Sequence, residues 1–501
     1  MPMNETTGAG SIDGEKGRAR PLRPNFLFIL TDDQGPWATS RNWPELITPA
    51  LDEIATTATV FDNYYCASPV CSPARASLLT GYMPSAHGVH DWLVGGRHPD
   101  DSEETFLDGI STLPEVLHDA GYMTAMSGKW HVGSSKRPAP GFDLWYAHRY
   151  GGGPYYDAPI WGDDGEEVGE PRYFTDAVAE EAVAMIDAIA ASGTGEEARP
   201  FYLQVNFTAP HSPWVNNHPQ ELLDLYADTD FPSVPRETPH PWTKTYDDFA
   251  DAFADPVPSL RGYAASLTGV DRAVRSLVDA LDAHGMRENT VIIYMADNGF
   301  SCGHHGLWGK GNGTYPLNFW ENSVRVPCMI SVPGQRVART VERAVSACSF
   351  FETVCDLAGV AVDEDPLRDG ASVSGLLMGD QDDAGEESVV VFDEYGGGRM
   401  IRRDDYKFID RFNGPRELYD LSVDPDEREN LVDLPSKASL AQELADELYE
   451  WFRDHETDTN RAYHRDVRGR GQVHPPRDGY ADARTYVLGE KSMDGVENMV
   501  G

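Results

Sequence analysis

The chain has 501 residues, and 82 Asp plus Glu against 41 Lys plus Arg give it a formal net charge of −41. That length carries a large core and more than one domain, and an apolar content of 40% excludes global disorder. No cluster of cations stands against the acids, which excludes nucleic acid and anionic membranes as partners; the even spread of Asp and Glu predicts a halophilic surface rather than an acidic tail.

In chain order, residues 1–22 read as a disordered segment. They carry no apolar signal region and no twin-arginine motif, and the apolar run at 26–30 is too short for a signal or a span, so the expectation is a cytoplasmic protein. Residues 25–30 predict a strand buried on both faces, ending in Thr31-Asp32-Asp33-Gln34-Gly35, and a helix follows over 49–58. Cys71-Ser72-Pro73-Ala74-Arg75 then opens a short apolar helix, Ala76 to Gly81. Proline suits a first helical turn, so Cys71 falls at a helix N-terminus with Arg75 one turn along on the same side. Helices are predicted at 113–120, 175–191 and 261–284, and strands at 122–126, 201–207 and 291–295. After 380 come short strands at 389–394, 400–403, 406–411 and 417–421, then a helix from 437 to about 452. The fold class expected is α/β: a large doubly wound, mostly parallel sheet flanked by helices, with a smaller C-terminal antiparallel α+β domain. The division expected is 1–22, 23–380 for the large domain, 381–455 for the small one and 456–501 as a polar tail. Six cysteines (66, 71, 302, 328, 348 and 355) form no C-x-x-C pair, as in a reducing compartment.

Chemistry collects at the strand ends. Four predicted strands finish in Asp32-Asp33, Lys129-Trp130-His131, His211 and Asp297-Asn298, and ligands of open α/β sheets gather at the carboxyl ends of strands. Asp32, Asp33, Asp297 and Asn298 make an all-oxygen donor set, suited to calcium or magnesium rather than zinc. Around such a cation Lys129 and Lys310 are placed to clamp a tetrahedral oxyanion, and His131 and His211 to move protons. Singly, each of these residues is more often structural. The segments 87–92 and 150–156, rich in glycine and aromatics, are candidates to line the pocket, and His90 and His305 are candidate substrate contacts.

These residues carry a resemblance. From Arg23 to about Leu431 the chain resembles a type I, formylglycine-dependent sulfatase of the alkaline phosphatase superfamily. It has the C-x-P-x-R signature at Cys71, Pro73 and Arg75, with Thr31-Asp32-Asp33, Gly128-Lys129-Trp130-His131, Pro210-His211, Ala296-Asp297-Asn298-Gly299, Gly306-Leu307-Trp308-Gly309-Lys310 and Glu417-Leu418-Tyr419-Asp420-Leu421. The resemblance implies that a formylglycine-generating enzyme oxidises Cys71 to formylglycine. Its hydrate is the nucleophile on a divalent cation, calcium foremost, held by Asp32, Asp33, Asp297, Asn298 and residue 71. It further implies that Arg75 holds the diol, Lys129 and Lys310 take the sulfuryl oxygens, His211 protonates the leaving alcohol and His131 is the base that releases sulfate. The activity implied is hydrolysis of a sulfate monoester of an aryl, alkyl or carbohydrate alcohol. A formylglycine-dependent phosphonate monoester hydrolase or phosphodiesterase, and a sulfoglycan-binding protein with unmodified Cys71, are the competing expectations.

Overall fold

The architecture grows from β1 (Asn25–Thr31), whose seven residues are all buried. Its side chains alternate between two cores, Leu27 and Ile29 in one and Phe26, Phe28 and Leu30 in the other. The structure is a computed structural model that describes residues 23–94, 105–162, 164–193, 199–379, 388–464, 469–477 and 482–488. The segment 1–22 and parts of 456–501 therefore lie outside the described residues.

Ten strands make the central sheet. After β1 come β2 (Thr59–Tyr65), β3 (Met123–Lys129), β4 (Leu144–His148), β5 (Ala158–Trp161), β6 (Glu167–Glu170), β7 (Phe201–Asn206), β8 (Thr290–Ala296), β9 (Arg325–Ser331) and β10 (Arg339–Ser346). Their spatial order is β10-β2-β9-β8-β1-β7-β3-β4-β5-β6. β1 pairs in parallel with β7 and β8, β3 with β7 and β4, and β2 with β10. β9 runs antiparallel to both neighbours, as do β5 and β6 at one edge, so the sheet is mixed but mostly parallel. Because β8, β1, β7 and β3 are contiguous and point the same way, their carboxyl ends share one rim. That rim carries the site.

Helices cover both faces. α1 (Cys71–Thr80) and α4 (Ser349–Ala358) pack with Phe28 through Leu78, Leu79, Phe350 and Phe351, while α2 (Phe174–Ala191) and α3 (Pro256–Ala283) cover the opposite face through Val178, Ile186, Leu267 and Leu277. Gly81, at φ 72°, ends α1 in a left-handed cap. α3 starts five residues before the expected 261, because Pro256 sits in the first turn and Asp255 caps the Val257 N–H at 3.3 Å.

The C-terminal sheet is an antiparallel meander of β11 (Ser388–Asp393), β12 (Gly398–Arg403), β13 (Tyr406–Arg411) and β14 (Glu417–Asp420). Its outer face packs on α5 (Ala438–Asp454) through Leu444, Leu448 and Phe452. Its inner face, with Val389, Val391, Met400 and Ile409, belongs to the same core as α1 and α4. Buried Lys407 adds ion pairs to Glu321 at 2.9 Å and Glu427 at 2.7 Å across that junction. All six cysteines are buried, and no disulfide joins them. No helix among the described residues is long and apolar enough to cross a membrane.

Candidate active site

Cys71 is the first residue of α1, which is buried along its whole length. Its thiol lies 3.2 Å from Asp32 Oδ1 and accepts from Lys310 Nζ at 2.8 Å. A helix N-terminus favours the thiolate, yet here burial and the Asp32 charge outweigh the two lysines and push the thiol up to about 12. As a plain cysteine it is a protonated thiol at neutral pH, a poor nucleophile.

The rim supplies the other groups. Asp32 and Asp33 follow β1, Asp297 and Asn298 follow β8, Lys129 ends β3, and His211 lies in the loop after β7. Backbone bonds lock the rim: Asp32 N donates to Ala209 O at 3.1 Å and Asp297 N to Thr31 O at 3.0 Å. Asp33 and His131 both take left-handed backbone, at φ 61° and 56°, the kind of local strain that re-aims a side chain at a strand end.

Charge is balanced within the cluster. Lys129 pairs with Asp32, and Lys310 with Asp33, with Lys310 also 3.3 Å from Asn298 Oδ1. Arg75 Nε donates to Asp297 Oδ2 at 2.8 Å and one of its terminal nitrogens to Lys129 O at 2.9 Å. Its other terminal nitrogen is buried with no partner among the described residues. Thus Arg75 clasps Asp297 and the end of β3. Burial raises the Asp32 carboxyl, but Lys129, His211, Lys310 and Arg75 together hold it below the usual carboxylate range. Asp297 goes the other way, to about 6, because burial and the neighbouring Asp32 charge outweigh Arg75.

The donor set fits a hard cation. Asp32, Cys71 and Asp297 each offer an atom within 4.8 Å of the others. Asp33 and Asn298 stand beside them, joined at 2.7 Å through Asn298 Nδ2. The ammonium of Lys310, drawn between Asp33, Cys71 and Asn298, shows that these acids already attract positive charge.

The two histidines have fixed tautomers, since a carbonyl can only accept. His131 Nε2–H donates to Leu93 O at 3.0 Å, leaving Nδ1 as the lone-pair nitrogen. His211 Nδ1–H donates to Ser212 O at 2.7 Å, and its Nε2 lies 3.8 Å from Asp33 Oδ2. Burial and the Lys129 charge keep His131 neutral, well below the ordinary imidazole value. A cavity of about 340 Å³ opens over Cys71, His131, His211 and Lys310, walled by Trp92, Leu93, Val94 and Gly151 to Gly153. Gly151 lies so close that a Cβ there would stand 2.0 Å from the His131 ring, and one at Gly152 would stand 3.0 Å from the His211 ring. Both expected lining segments, 87–92 and 150–156, thus contribute to this wall.

Two expected residues fall elsewhere. His90 is fully buried, its Nδ1 2.7 Å from Tyr486 Oη, and it packs on Phe392 rather than in the cavity. His305 stacks on Trp320 at 4.5 Å with its N–H bound to Glu237, outside the cavity lining. Neither lines this cavity. The sequence reading missed Asn206, Asn312 and Leu93. Asn206 ends β7 and donates to Lys129 O at 2.9 Å, and a polar residue closing a buried strand was its one visible signal. Asn312 lines the cavity from a single 3-10 turn (Gly311–Gly313) and Leu93 from a loop, neither marked by any periodicity.

Comparison with known proteins gives the same picture. The Sulfatase family model matches residues 24–360, and that of N-sulphoglucosamine sulphohydrolase, C-terminal, matches residues 303–454. An N-acetylglucosamine-6-O-sulfatase of Bacteroides thetaiotaomicron is 27% identical, over 91% of this chain and 91% of its own. A solved chain in complex with its substrate D-glucosamine-2-N,6-O-disulfate is 25% identical with a TM-score of 0.71, over 88% of this chain and 99% of its own. A phosphonate monoester hydrolase of Agrobacterium radiobacter, 21% identical over 86% of this chain and 96% of its own, shares the fold with a TM-score of 0.67. The chain therefore belongs to the sulfatase family and is a hydrolase of sulfate esters.

Proposed function

We propose that the protein cleaves a carbohydrate sulfate monoester, with residue 71 as formylglycine and calcium as its cation. The observation that carries this reading is the convergence of Asp32, Asp33, Asp297 and Asn298 on Cys71, with Lys129, Lys310 and two tautomer-fixed histidines around it. The four oxygen-bearing residues would hold the cation, which supplies Lewis-acid activation of an oxygen nucleophile when bound. In place of the thiol, a hydrated aldehyde at residue 71 presents one oxygen to attack sulfur and a second whose deprotonation expels the sulfate. Lys129 and Lys310 neutralise the sulfuryl oxygens. His211, its Nδ1–H held by Ser212 O, enters this step as the imidazolium, so that its Nε2–H protonates the leaving alcohol and leaves the neutral ring, and His131 offers the Nδ1 lone pair as base for the second step. The sugar is supported by the similarity to an N-acetylglucosamine-6-O-sulfatase and to the solved chain whose substrate is D-glucosamine-2-N,6-O-disulfate.

Rates on N-acetylglucosamine-6-sulfate, an aryl sulfate and an aryl phosphonate, measured on protein matured by a formylglycine-generating enzyme, test the reading. The sugar sulfate is expected to have the highest kcat/KM. A faster phosphonate would instead favour the phosphonate hydrolase, and saturable sugar binding without turnover would favour a binding protein.

The acidic surface is proposed to be a salt adaptation, because the −41 charge repels itself unless screened. The thermal midpoint is expected to climb as KCl is raised toward molar levels, and a flat or falling response contradicts it.

A further inference from the structure

The wall of the cavity is fastened from the far end of the chain. Gln472, fully buried, binds the segment 88–94 with its side chain and its backbone at once. Its Oε1 accepts from His90 N at 2.7 Å and Asp91 N at 3.4 Å, and its Nε2 donates to Gly88 O at 2.8 Å and His474 O at 3.0 Å. Its N–H donates to Trp92 O at 2.8 Å, and its carbonyl accepts from Val94 N at 3.2 Å. Neighbouring bonds repeat the pattern. Gly471 N donates to Asp91 Oδ2 at 2.9 Å, Tyr395 Oη bonds the same carboxylate, and Tyr486 Oη meets His90 Nδ1 at 2.7 Å. Gly471, at φ 107°, leaves no room for a side chain, since a Cβ would stand 2.9 Å from Val94 and 3.0 Å from Trp92.

The fastened segment touches the reaction centre through one residue. Leu93 O accepts from His131 Nε2 at 3.0 Å, and Leu93 N donates at 3.0 Å to the hydroxyl of Ser72, next to Cys71. We infer that Gln472 is a positioning residue for sulfate ester hydrolysis: it fixes residues 88–94 so that the Leu93 carbonyl sets the tautomer and orientation of His131. Buried amides satisfied on every side are how such a distant element imposes a fixed geometry. This also accounts for His90 and Asp91, which serve as anchor points of the strap and stand away from the substrate.

The inference rests on the assignment of His131 to turnover, and a double-mutant cycle keeps the two apart. Gln472→Met in the full chain keeps the volume and removes the amide. Its kcat on an aryl sulfate is expected to fall about tenfold or more, with KM within about twofold. In His131→Asn, already impaired, adding Gln472→Met is expected to cost nothing further. Wild-type kcat in Gln472→Met, or losses that multiply in the double variant, would overturn the inference. Should Gln472→Met fail to fold, Tyr486→Phe, which removes one hydroxyl from the same strap, is held to the same two criteria. Full activity in His131→Asn would instead sink the role given to His131.

Discussion

Asp297→Asn is expected to lower kcat/KM by at least about a hundredfold and to abolish calcium binding. One carboxylate here does three jobs. Oδ2 holds Arg75 at 2.8 Å, while Oδ1 accepts from Asn298 N at 2.8 Å and Asp33 N at 3.4 Å. Asparagine keeps the size and one acceptor but loses the charge, so it separates the electrostatic demand from the packing. Calorimetric titration with calcium and steady-state rates on the same preparation check it. Near-normal turnover with bound calcium would mean that the cation sits elsewhere.

Lys310→Met is expected to cut turnover about a hundred- to a thousandfold, the scale of losing one preorganised oxyanion partner. It should also make stability depend on calcium. Burial alone would lower the Lys310 ammonium, but Asp33 foremost, with Asp32 and Asp297, holds it charged, well above the ordinary lysine value. In the cation-free protein three acids, Asp32, Asp33 and Asp297, face three bases, Arg75, Lys129 and Lys310. Removing one base strands a buried negative charge, at a cost of about 3–5 kcal/mol. Calcium then replaces the missing charge, and mass action returns that stability. Melting curves with calcium and with a chelator should therefore separate far more widely in the variant than in the wild type. Equal separation in both would contradict the account of Lys310 as the neutralising charge of this cluster.

Much of this site was legible in the sequence because the topology does the gathering. A buried strand ending in two acids is a strong signal, and together with three neighbouring parallel strands that end in Lys129-Trp130-His131, His211 and Asp297-Asn298 it falls on one rim without further information. The strands β2, β9 and β10 were harder. β2 carries Asp62 and Asn63 in its middle, and β10, at the sheet edge, alternates charged and apolar residues too briefly to separate from a loop. His90 and His305 show the limit for single residues. Each is polar and lies near a motif, and only packing reveals that one is tied to Tyr486 and the other stacked on Trp320. Arg75 was read as lying one turn along from Cys71, but its partner, Asp297, lies 222 positions away, which local spacing cannot supply. Gln472 left no trace at all, because a glutamine in a polar tail gains meaning only when the chain returns to pack on residues 88–94.

The account stands on the identity of residue 71. The mass of the peptide spanning Cys71, taken from protein purified in active form from a host that has the modifying enzyme, tests this directly. The predicted peptide has lost the thiol sulfur and two hydrogens and gained one oxygen, as formylglycine requires. A fully active preparation whose peptide carries intact cysteine would contradict it.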